Sequence, residues 1–181
     1  MPAAASIDLP AWARVSRERA AHIMRVVSLI DRWAAAMGLG ETEVRAWRDA
    51  ARLHDALRDA PEHELREMLG DEDMPAPLLH GPATAARLRA DGERREDVLD
   101  AIAHHTVGSP TWGAAGRALY MADFLDPGRD FARTERAALA ARVPVDFDAT
   151  FRAVVENRID WARRKGVHLH PQSVKLWESI Q

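Results

Sequence analysis

Apolar side chains recur at every third or fourth position along most of this chain, and a few ionisable residues sit on those same stripes. The first stripe runs Val15, His22, Val26, Leu29, Trp33, Met37. A second carries Val44, Trp47, Ala51 and His54, with Asp55 beside His54 and about 100° round the helix. His105 follows Val98 and Ile102 on a third, while its neighbour His104 points elsewhere with Ala101 and Asp97. Asp123 follows Leu119, and His80 comes directly after Leu78 and Leu79 at a helix start. Ala, Leu, Arg and Glu dominate and β-branched runs are scarce, so the fold class is all-α.

Glycine and proline divide the pattern into one bundle of about seven to nine helices. The first is predicted to start at Asp8, with Pro10 in its opening turn, and to stop at Met37 before Gly38. Further helices are predicted over 41–58, 62–68, from Leu78 or Leu79 to about 91, 93–107, 111–125, 133–141, 146–164 and 171–180, with a loop over 71–77. No linker or repeat splits residues 1–181, which read as a single domain. Trp12, Trp33, Trp47, Trp161 and Trp177 read as packing anchors, and Trp112 as the aromatic to test for adenine stacking.

Cysteine is absent, which excludes disulfides, thiolate zinc sites, iron–sulfur clusters and cysteine nucleophiles. A formal charge of −3 argues against nucleic acid as a partner. The chain shows no signal-peptide pattern and no apolar run of membrane length, so no membrane partner and a cytoplasmic location are expected. A homodimer stays open.

Four histidines and two aspartates on apolar faces carry the functional message. Each buried polar group left unsatisfied costs several kcal/mol, against a total stability of about 5–15 kcal/mol. A bound cation turns these orphans into ligands. A carboxylate such as Asp55 has two oxygens and can bridge two cations about 3.5–4 Å apart. Nitrogen and oxygen donors without sulfur suit iron, manganese, zinc, nickel or cobalt.

The order His22, His54-Asp55, His80, His105, Asp123 resembles the HD-domain metal-dependent phosphohydrolases in their six-ligand, two-metal form. The words ArgLeuHisAspAlaLeuArg (52–58), LeuLeuHisGlyPro (78–82), AlaIleAlaHisHisThrValGly (101–108), TyrMetAlaAspPheLeuAspProGlyArgAspPhe (120–131) and ValHisLeuHisProGlnSer (167–173) are similar to the YqeK-type branch. The resemblance implies a single HD domain with its core over 19–130 and a helical extension over 131–181. It implies symmetrical cleavage of diadenosine tetraphosphate to two ADP, by a hydroxide held between two divalent or mixed-valence metal ions, iron foremost. His22, His54, Asp55 and Asp123 would hold one metal, and Asp55 would bridge to a second on His80 and His105. The family commonly has lysine at the place of Arg58, glutamate at Asp126 and asparagine at Gly128.

The remaining phosphate charge needs donors. Arg58, one turn beyond the HisAsp pair, and Arg129, six residues beyond Asp123, are assigned catalytic and substrate-binding roles beside Asp55, and Thr106 and Gly108 substrate contacts. The partner expected is a small nucleotide. The alternatives are another HD phosphohydrolase, acting on a nucleoside monophosphate or guanosine alarmone, and an HD-type di-iron oxygenase.

Overall fold

The structure is a computed structural model that describes residues 7–70 and 73–181. Among the described residues nine α-helices form and no strand: α1 (Arg17–Met37), α2 (Glu41–Leu53), α3 (Glu62–Leu69), α4 (His80–Ala90), α5 (Glu96–His104), α6 (Ala114–Phe124), α7 (Arg133–Arg142), α8 (Phe147–Lys165) and α9 (Pro171–Ser179). A 3-10 turn, Ala76–Leu78, leads into α4. The all-α expectation is met. The first two residues of the expected 71–77 loop lie outside the described residues.

Among the boundaries that differ from those predicted are the start of α1 and the ends of α2 and α5, and the last two bear on the site. Helix α1 begins at Arg17, because the Ser16 side chain caps it by accepting from the Arg19 N–H at 3.1 Å. Val15 therefore lies outside the helix. The segment before it lies along the turn after α2: Arg14 N–H donates to the Ala56 carbonyl at 2.7 Å, and Asp59 N–H to the Arg14 carbonyl at 3.1 Å. Helix α2 stops at Leu53 rather than at 58, so the His54-Asp55 pair stands in the turn that follows. Helix α5 likewise ends at His104, which leaves His105 just past its last turn.

Helix α1 packs on α2 and α6, α2 on α5 and α6, and α4 on α3 and α5; α8 covers α6 and carries α7 and α9. The core is built from Ile23, Val26 and Ile30 of α1, Val98, Leu99 and Ile102 of α5, and Leu119 and Met121 of α6, all essentially sealed from solvent. Each such side chain contributes roughly 1.5–3 kcal/mol. Trp33 and Trp47 are core anchors as expected, whereas Trp161 is 51% exposed on α8. Among the described residues no helix is long and apolar enough to cross a membrane.

Gly81 sets how closely α4 approaches α5. A β-carbon there would stand 2.9 Å from the carbonyl oxygens of both Ile102 and Ala103. Only the missing side chain lets the start of α4 rest on the end of α5, which brings His80 to His105.

Candidate metal centre

Helix ends aim the histidines. His54 terminates α2, and its Nδ1–H donates to the Ala51 carbonyl at 2.8 Å, one of the acceptors that the ending helix leaves free. His105 does the same at the end of α5, donating to the Ile102 carbonyl at 2.8 Å. At the start of α4, His80 donates to the Pro77 carbonyl at 3.1 Å. A carbonyl can only accept, so each Nδ1 carries the proton and each Nε2 presents a bare lone pair. His22, on α1, sets its Nδ1 2.7 Å from Oδ2 of Asp126.

All four Nε2 atoms turn toward Asp55, which is 3% exposed. Its Oδ2 lies 3.8 Å from Nε2 of His22 and 3.4 Å from Nε2 of His54. Its Oδ1 lies 3.2 Å from Nε2 of His80 and 3.4 Å from Nε2 of His105. One carboxylate thus divides its oxygens between two histidine pairs. Asp123, on α6, completes the first half with Oδ1 3.2 Å from Nε2 of His22. His104 turns away and pairs with Asp100 at 2.9 Å.

The donor set fits cations. Nε2 of His22 and Nε2 of His54 are buried with no hydrogen-bond partner among the described residues. Nε2 of His80 and of His105 face each other at 3.1 Å, although both rings have already placed their N–H elsewhere. Two lone pairs at that distance repel unless a positive centre lies between or beside them. Potential ligand atoms of His22, His54 and Asp123 all fall within 4.8 Å of one another, as do those of His54, Asp55 and His105.

The electrostatics agree. Burial alone would push the His22 imidazole down, but the carboxylates of Asp123, Asp126 and Asp55 raise it to about 9. Burial would likewise raise Asp55, yet the surrounding histidines hold it well below the usual carboxylate range. Asp123 is held low against burial by His22 and Arg129. Burial, opposed by Asp55, lowers His80.

Arginines stand round this cradle. Arg129 sets Nη2 2.6 Å from Oδ1 of Asp123 and donates Nε–H to the Asp123 carbonyl at 3.1 Å. Arg58 is half-buried, its charge is felt at His80, and its guanidinium has no partner among the described residues. The Thr106 hydroxyl lies 3.3 Å from Nε2 of His105. Gly108 is occupied differently: its N–H donates to the His104 carbonyl at 2.7 Å, its φ is +90°, and Leu176 of α9 covers it so closely that a β-carbon would meet Cδ2 at 2.3 Å. Trp112 is buried against Tyr120, ring centroids 5.5 Å apart, and offers no open face to a base.

Two contacts were not foreseen from the sequence. Arg19 reaches from α1 to Oδ2 of Asp55 at 2.7 Å. Asp126 holds His22 and also takes Arg25 at 2.6 and 3.0 Å, with Arg25 lying over the bare Cα of Gly128. The helical spacing of Arg19 three residues before His22 was a usable signal; for Asp126 no local pattern was. A cleft of about 720 Å³ lies elsewhere, between α2 and the α4–α5 turn. Within its lining Arg95 pairs with Asp49 and Glu93, and Arg52 with Asp49.

A helical bundle that gathers four histidines and two aspartates round a shared carboxylate defines the HD class of metal-binding domains. The HD domain family matches residues 19–143, and the chain belongs to it. It is 28% identical over 132 residues to a protein of Bacillus subtilis named bis(5'-nucleosyl)-tetraphosphatase, symmetrical, covering 68% of this chain and 70% of that one. A Halalkalibacterium halodurans protein of the same name is 27% identical over 144 residues, 72% of this chain and 73% of the relative. The fold is shared with a Clostridium acetobutylicum protein described as a predicted HD superfamily hydrolase involved in NAD metabolism, at a TM-score of 0.77 and 24% identity over 92% of this chain and 90% of that one.

Proposed function

We propose that this chain hydrolyses dinucleoside polyphosphates, cutting diadenosine tetraphosphate at its central anhydride into two ADP. The observation that carries the reading is the division of Asp55, one oxygen toward His22 and His54 and the other toward His80 and His105. The names of the two relatives supply the substrate class.

His22, His54, Asp55 and Asp123 would hold one cation, and Asp55, His80 and His105 the other, with iron the first choice and manganese, cobalt, nickel or zinc compatible with the same donors. When bound, such a pair lowers the pKa of water toward neutrality and neutralises charge on phosphoryl oxygens. The chain's own residues do the rest. Asp55 and Asp123 stay ionised in the cradle, as their neighbours dictate. Asp126 and the three carbonyls fix the direction of every imidazole, so no reorganisation precedes reaction. Arg58 and Arg129 offer guanidinium donors to the phosphate oxygens, and Thr106 a hydroxyl. Overall a water oxygen bonds to one central phosphorus, the bond from that phosphorus to the bridging oxygen breaks, the second ADP departs with that oxygen on its terminal phosphate, and the water's proton passes to solvent.

The test is to load the protein with Mn²⁺ or Fe²⁺, add diadenosine tetraphosphate and separate the products. Two ADP are expected. ATP with AMP, or an intact substrate, overturns the reading. Phosphate release from a nucleoside monophosphate by the same preparation would then move the substrate elsewhere within the family.

A further inference from the structure

We propose that Phe131 is the platform on which a nucleobase of the substrate stacks, an inference that rests on the nucleotide-hydrolase reading above. Phe131 is a large aromatic left 47% exposed, and it lies two residues beyond Arg129, whose guanidinium touches Asp123 in the cradle. An exposed phenyl ring on a loop is usually mobile. This one is held.

The holder is Arg136, which is 3% exposed and has no carboxylate partner among the described residues. Its guanidinium donates to the carbonyls of Phe124 at 2.9 Å, Arg129 at 3.2 Å and Phe131 at 3.2 Å, and to that of Asp126. It also lies 4.7 Å from the centroid of the Phe131 ring. Phe124 supports the ring from 6.1 Å, tilted by 60°. One buried cation therefore fixes the loop that carries both Arg129 and Phe131, and backs the ring while leaving part of its surface to solvent.

The backbone beside the ring is constrained as well. Ala132, the next residue, has φ +43°, the one non-glycine with positive φ among the described residues. That conformation costs an alanine energy, and such strain persists where the surrounding contacts enforce it. A phosphate held at Arg129 would lie on the same short loop as Phe131, two residues on, whose exposed ring is then offered to the attached base. Stacking on a phenyl ring is tolerant of base identity, so the platform would favour nucleotides over bare polyphosphate without selecting strongly among purines.

The experiment compares ADP and inorganic pyrophosphate as ligands of the Mn²⁺-loaded protein by calorimetry. Phe131→Ala is expected to weaken ADP by about tenfold or more and leave pyrophosphate unchanged. Phe131→Tyr is expected to keep both affinities. Retained ADP affinity in Phe131→Ala overturns the assignment, and so does a parallel loss of both ligands, which would mean the loop had collapsed. Wild-type protein that binds ADP no more tightly than pyrophosphate overturns it as well. Cleavage of diadenosine tetraphosphate by that same preparation would show that the hydrolase reading survives on its own.

Discussion

Arg19 places Nη1 2.7 Å from Oδ2 of Asp55, the same oxygen that faces His22 and His54. A cation entering that half of the cradle competes with the guanidinium for one acceptor. Arg19 is 28% exposed and can yield to solvent. Arg19→Gln should therefore tighten the binding of the first Mn²⁺ by about 1 kcal/mol, or about fivefold, read by titration of the metal-free protein. Weaker binding would make Arg19 a brace for Asp55 instead.

Asp55→Ala removes the carboxylate common to both halves. Metal content measured after dialysis should fall below one ion per chain and hydrolysis to background. The helical circular dichroism should persist, since the core helices pack without Asp55. Retention of two ions would refute the bridging role.

Asp126 accepts from the His22 ring, so Asp126→Ala frees that ring to turn. Loss of such a supporting carboxylate costs about 10- to 100-fold in metal affinity or activity. Arg25→Ala, which leaves the His22 contact in place, should cost much less. Equal losses in the two variants would mean that the ion pair matters more than the aim of the ring.

Gly81→Ala drives a methyl group against the Ile102 and Ala103 carbonyls, and α4 must move off α5. A destabilisation of about 1–3 kcal/mol is expected by denaturant melting. The second cation, on the His80 and His105 side, should be lost before the first. Unchanged loading of both would show that the helices tolerate the shift.

Away from the cradle, hydrogen bonds from Arg95 lower the Glu93 carboxyl to about 2, against burial. Its stabilisation is then complete above the unfolded carboxyl range and lost as pH falls through about 2. Glu93→Gln should cost about 1 kcal/mol at pH 7, the scale for a partly exposed pair, and nothing once the acid is protonated. A cost that stays constant down to pH 2 would assign the effect to packing.

Much of the architecture was legible because burial and period coincide: His22, His54, His105 and Asp123 announced themselves as ionisable residues on apolar stripes. The helix ends were harder to read. Apolar spacing continues past Leu53 and past His104, so nothing in the period marks where α2 and α5 stop. At α2 the stop is set among tertiary contacts, the pairing of Arg14 with Ala56 and Asp59. Arg19 and Asp126 escaped for another reason. Arg19 carried a signal in its spacing before His22, but its partner Asp55 is set by the packing of α1 on the end of α2, and Asp126 meets His22 only where α1 crosses the end of α6. Trp112 was misplaced because proximity in sequence to His105 says nothing of how the loop before α6 turns its ring, which packs on Tyr120.

Three imidazoles are tethered to the main chain of their own segment, His54 to Ala51, His80 to Pro77 and His105 to Ile102. The aim of each nitrogen is accordingly a local property that survives when the ions leave. Emptying the cradle should cost charge balance but little shape, so ions can exchange without the bundle refolding around each newcomer. Which element occupies it then follows the supply in its surroundings more than any refusal by the protein.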